Sequence, residues 1–110
     1  MADVIERIQS AIKDNKIVVF MKGTRNFPQC GFSAATVQMF EALEAPFETV
    51  DVLADQELRE AIKRYSNWPT IPQVYINGKF VGGCDIVREL YESGELQEMV
   101  KSAAGQSAEQ

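Results

Sequence analysis

The sequence predicts an α/β fold in which a four-stranded mixed sheet is flanked by helices on both faces. Three observations carry this. The run Ile17-Val-Val-Phe-Met21 is short, rich in β-branched residues and apolar on both sides, as expected of a strand buried in the middle of a sheet. In Gln73-Val-Tyr-Ile76, Asn77-Gly78, Lys79-Phe-Val81, a dipeptide that tolerates two positive φ angles separates two apolar runs, which is the pattern of a tight hairpin. Before, between and after these strands, apolar residues recur at helical spacing. With 110 residues, 45% of them apolar, the chain can enclose one core without disulfide staples.

In order, Val4, Ile5, Ile8, Ala11 and Ile12 give an amphipathic helix over 3–15, with Asp3 as its N-cap and Glu6 three residues on. The strand Ile17–Met21 follows, then a loop from Lys22 to Ser33. A second helix, from Phe32 to Leu43, turns Val37, Phe40 and Leu43 inward, while Phe32 itself lies nearer the loop. Phe47-Glu-Thr-Val-Asp-Val52 alternates and reads as a strand parallel to the first, joined by a helical crossover. Asp55 caps a helix over 56–65 that buries Leu58, Ile62 and Tyr65. The segment from Ser66 to Pro72 is a shaped loop, because its prolines disfavour the α region in the residues before them. After the hairpin, Asp85 is placed to cap a last helical region whose buried stripe is Ile86, Val87, Leu90 and Tyr91. Gly94 ends its first segment, and Glu95–Lys101 forms a further short turn or helix. The single domain spans 1–102, and the small polar residues 103–110 are expected to form a disordered tail.

Composition narrows the chemistry. Net charge is −5 and the eleven basic residues form no run, which argues against a nucleic-acid partner. No apolar stretch is long enough to span a membrane, and the N-terminal segment is acidic and amphipathic, unlike a signal sequence. The expected location is the cytoplasm, or an organellar stroma or matrix if this is a mature form. Two cysteines are too few for a disulfide scaffold. The absence of histidine removes imidazole bases, Cys-His dyads and histidine-containing zinc sites.

The loop from Lys22 to Ser33 carries the chemistry. Cys30 falls at or just before the first turn of a helix, where unpaired amides and the helix dipole favour a thiolate. Lys22 and Arg25 add positive charge to the same loop. Cys30 is therefore a nucleophile or a metal ligand, set against the plainer reading of a reactive surface cysteine. Ser33 stands where a Cys-x-x-Cys pair would have its second thiol, so an outside thiol must complete any redox cycle. Gly31 leaves room either for something bound or for a tight turn.

Four motifs, Lys22-Gly-Thr, Pro28-Gln-Cys-Gly-Phe-Ser33, Trp68-Pro-Thr-Ile-Pro72 and Gly82-Gly-Cys-Asp85, together resemble those of the CGFS-type monothiol glutaredoxins, in the right order over about residues 3–102. Its single-domain form and acidic start resemble short bacterial, cyanobacterial or chloroplast members. The resemblance implies a thioredoxin-like fold with a groove for glutathione. It implies that Lys22 and Arg59 bind the glycine carboxylate, that Ile71 offers its backbone to the cysteinyl part beside a cis bond at Pro72, and that Cys84 and Asp85 hold the γ-glutamyl end. On the residues alone, Arg59 is ordinary surface charge and Asp85 a plain cap. Cys84 is either a buried residue lining the groove or an oxidation partner for Cys30. Trp68 and Phe32 read as packing residues that can also shield a bound group from water.

A [2Fe-2S] cluster commonly takes four thiolates, more than one chain with two cysteines supplies. The resemblance implies a homodimer in which two copies of Cys30 and two glutathiones complete the set, with transfer to apo iron-sulfur proteins and pairing with BolA-type proteins. Two functions follow as expectations: a glutathione-dependent [2Fe-2S] carrier, or a glutathione-dependent thiol-disulfide oxidoreductase in which Cys30 is the catalytic nucleophile. The loop from Thr24 to Gln29 resembles that of cluster-binding members, which are poor at the second reaction.

Overall fold

The computed structural model describes residues 2–108, with side-chain surroundings described over 3–103. Among the described residues, five α-helices, α1 (Ala2–Asp14), α2 (Gly31–Ala42), α3 (Gln56–Ser66), α4 (Cys84–Ser93) and α5 (Glu95–Ala108), surround four strands, β1 (Ile17–Met21), β2 (Glu48–Asp51), β3 (Gln73–Ile76) and β4 (Lys79–Gly82). The strand order is β2-β1-β3-β4. β1 runs parallel to β2, with Met21 beside Asp51, and antiparallel to β3, with Val18 beside Tyr75. The sheet is thus mixed, as the sequence predicts.

β1 is buried along its whole length because its side chains alternate between two cores. Ile17, Val19 and Met21 face Val37, Phe40, Val87 and Leu96, on the side of α2, α4 and α5. Val18 and Phe20 face Ile8, Ile12, Leu58 and Ile62, on the side of α1 and α3. Asp55 caps α3, its carboxylate accepting from the amides of Glu57 and Leu58, and the Arg7 guanidinium beside it holds its pKa below the usual value. At the hairpin, Asn77 and Gly78 both take positive φ, 55° and 83°.

Several expectations need correction. Asp3 lies within the first turn of α1 instead of ahead of it. The N-cap of α4 is Gly83, so Asp85 sits in the first turn with its side chain 86% exposed. Of the predicted buried stripe of α4, Val87 is buried and Leu90 packs against the core, but Ile86 and Tyr91 are exposed. One residue is a 100° step around a helix, and with Val87 at the centre of the buried face its neighbour Ile86 turns to a pocket wall. Tyr65 is 41% exposed at the edge of its helix, and Ile5 is exposed in the same way. α5 runs on to Ala108, past the expected end at Lys101, and Ala103 is buried in the core. Leu96, Val100 and Ala103 form an i, i+4, i+7 stripe, which a small alanine makes easy to overlook. The remainder of the expected tail has side chains outside the described residues.

Candidate functional site

The loop between β1 and α2 is a miniature hairpin. The Gly23 and Pro28 backbones pair, the Gln29 amide donates to the Lys22 carbonyl at 2.9 Å, and the Thr24 and Phe27 amides each donate to the other's carbonyl at 3.2 and 3.1 Å. Gly23 has φ +93°, and a Cβ there would lie 2.6 Å from both the Gln29 nitrogen and the Phe27 oxygen, so only glycine fits. Its amide donates at 2.9 Å to the Asp51 carboxylate, which also accepts from the Leu53 amide at 2.9 Å. The loop is therefore fixed to β2 from below.

Cys30 emerges from this hairpin as the N-cap of α2, with extended backbone at φ −152° and ψ 136°. It is a free, partly buried thiol. Burial raises its pKa, but the Ser33 and Phe32 amides, the Ser33 hydroxyl and the Lys22 ammonium outweigh this and hold it below the ordinary thiol value. Ser33 is fully buried and its oxygen accepts from the Lys22 amide at 3.1 Å, which leaves the hydroxyl proton free for the sulfur. A Cβ added at Gly31 would meet no protein atom within 4 Å, so no tight turn demands glycine there.

A pocket of about 490 Å³ opens beside this sulfur, and all six predicted site residues, Lys22, Cys30, Arg59, Ile71, Cys84 and Asp85, line it. The volume is in the range of small-molecule sites. The Ile71-Pro72 peptide is cis, as expected. Arg59 approaches from α3 with its Nε buried and unpartnered. Cys84 begins α4, buried, with its Sγ accepting from Arg88 at 3.7 Å, so in this reduced state it is a wall residue. Asp85 makes a loose 3.8 Å pair with Arg88. The first amides of α4 have no intrahelical acceptor.

Three features were not legible beforehand. Lys63 also lines the pocket, one turn beyond Arg59, a spacing that could have revealed it. Gln73, fully buried, donates from Nε2 to the Trp68 and Thr70 carbonyls at 3.1 and 3.2 Å and so shapes the proline loop. Arg25, expected to add charge to the site, turns away. It pairs with Glu41 at 2.8 Å, donates to the Phe47 carbonyl and lies 3.8 Å over the Phe47 ring. The site's cations are instead Lys22, Arg59 and Lys63, which make no ion pair among the described residues, whereas Arg7, Arg25 and Arg88 do.

The glutaredoxin family model matches residues 17–81, more than half of the chain. The chain belongs to the glutaredoxin family. A Synechocystis protein described as an uncharacterized monothiol glutaredoxin, ycf64-like, is 63% identical over 97 residues, covering 88% of this chain and 91% of that protein. Ser33, in place of a second thiol, is consistent with this glutaredoxin being of the single-domain monothiol type. Reduced apo GrxS14 of poplar, solved in solution, superposes with a TM-score of 0.82 at 51% identity, covering 92% of this chain and 93% of that one. A buckwheat glutaredoxin-glutathione complex gives 0.84 at 26% identity, covering 94% and 92%. The fold is thioredoxin-like.

Proposed function

We propose that this glutaredoxin is a glutathione-dependent carrier of [2Fe-2S] clusters, which it receives and passes to apo iron-sulfur proteins. The observation that carries the reading is a single accessible low-pKa thiol beside a pocket whose charges match glutathione. That tripeptide has two carboxylates and one ammonium. Lys22 and Arg59, with Lys63 beside them, suit the glycine carboxylate. The Ile71 backbone takes the cysteinyl part, and the first amides of α4 with the Asp85 carboxylate take the γ-glutamyl end. The glutathione complex of a relative with the same fold supports this use of the pocket.

The donor set supports sharing the cargo between copies. Cys84 is buried, Ser33 carries no thiol, and no group of three or more metal-ligating side chains occurs among the described residues. A cluster held by four thiolates then takes Cys30 from each of two copies and one sulfur from each of two glutathiones. Such a cargo is bridging and exchangeable, so release follows loss of glutathione. BolA-type proteins are candidate partners of the same face. No helix among the described residues is long and apolar enough to cross a membrane. We place the protein in the cytoplasm or an organellar stroma.

The test is reconstitution with iron, sulfide and glutathione without oxygen, followed by visible absorption and mass in solution. A coloured dimer is expected, and a colourless monomer overturns the reading. The low pKa of Cys30 also favours a second activity, removal of glutathione from proteins. The thiolate attacks the glutathione sulfur of a mixed disulfide, and the protein thiolate leaves and takes a proton. A second glutathione thiolate then attacks Cys30-S-SG, releasing oxidised glutathione. Rapid steady-state turnover on a glutathionylated protein would rank this reading first.

A further inference from the structure

The two most exposed large apolar side chains among the described residues, Phe27 at 73% and Phe32 at 59%, flank Cys30. Phe32 lines the pocket, but Phe27 does not and packs no part of the core. Its exposure is built in. The turn from Thr24 to Phe27 is closed by its own two backbone hydrogen bonds. Arg25, within that turn, is anchored by its contact with the Phe47 ring and its pair with Glu41. The clamp holds Phe27 in water, where an apolar ring is costly unless something covers it.

We infer that Phe27 is the apolar anchor of the contact between two cluster-bound copies of this chain. The inference rests on the proposed cluster-sharing function and identifies the surface that makes it possible. If one cluster joins the Cys30 sulfurs of two copies, the surfaces around both sulfurs face each other. Phe27 is three residues from Cys30, so their Cα atoms lie within about 11 Å. Even a weak interface of ~600 Å² per partner covers a patch roughly 14 Å in radius, which includes Phe27. Each chain carries a net charge of −5, so two copies repel at long range and the contact needs a non-ionic attraction. Burying the ring supplies it, and the rigid turn presents the ring without further ordering cost.

The test compares wild type, Phe27→Ala and Phe27→Leu after anaerobic reconstitution with iron, sulfide and glutathione. Sedimentation with detection of cluster absorption reads the holodimer on dilution, and calorimetry reads glutathione binding to each apo monomer. Phe27→Ala is expected to dissociate at a concentration about tenfold higher or more. Phe27→Leu stays close to wild type, and glutathione affinity is the same in all three. A Phe27→Ala holodimer as stable as wild type overturns the inference and leaves the carrier function standing. That includes the case in which only transfer to an acceptor slows, because the ring would then serve another partner. Wild type that forms no coloured dimer overturns both.

Discussion

Within a mostly apolar wall, one sulfur stays ionisable because of the residues around it. Ser33 does two things there: its buried oxygen accepts from the Lys22 amide, and its amide and hydroxyl stabilise the thiolate. Ser33→Ala is therefore expected to move the pH midpoint of Cys30 alkylation upward, towards that of the urea-unfolded chain. An unchanged midpoint would leave the amides and Lys22 as sufficient. Cys30 has its folded pKa below its unfolded one, so it adds stability above the unfolded value, and that contribution disappears as pH falls through the folded value. Cys30 was legible in the sequence because a strand-to-helix junction fixes where it sits. Arg25 was not, because its direction depends on Glu41 and Phe47, distant in sequence and brought close only by the fold.

At the scale of elements, the proline loop between α3 and β3 forms the wall opposite Cys30, and Gln73 holds it. Replacing Gln73 with Leu removes two hydrogen bonds to the Trp68 and Thr70 carbonyls. Urea unfolding should show a loss of roughly 2 kcal/mol, with weaker glutathione binding, since the freed carbonyls remain in the wall. Binding unchanged would mean the loop keeps its shape by its prolines alone. The hairpin was readable because Asn77-Gly78 satisfies a local rule, and the start of α3 because Asp55 caps it locally. The ends of α4 and α5 were harder. Gly83 caps α4 without a side chain, so the sequence shows no capping group there and Asp85 two residues on resembles one. Ala103 packs through position and not size. Leu96, fully buried where α5 meets the core, should cost about 2–5 kcal/mol on truncation to Ala, measured by the same unfolding.

For the whole molecule, alternation along β1 divides the interior into two cores, and the site forms where α2, α3, α4 and the proline loop converge. That division was visible in five apolar residues. The motifs brought Lys22 and Arg59 together but did not reveal Lys63: an acidic chain gathers all three around one pocket, where they make no ion pair among the described residues. Glutathione affinity should accordingly fall several-fold as ionic strength rises from low to about 0.5 M, as calorimetry would show, because screening shortens the reach of exposed charges. Insensitivity to salt would assign binding to amides and packing instead.

In the proposed function, Cys30 is half of a shared thiolate set completed by glutathione. Native mass spectrometry of the anaerobically reconstituted protein tests it most directly. The expected species has two chains, one [2Fe-2S] cluster and two glutathiones, and is absent from Cys30→Ser and retained in Cys84→Ser. A cluster carried by a single chain, or by two chains without glutathione, would contradict it.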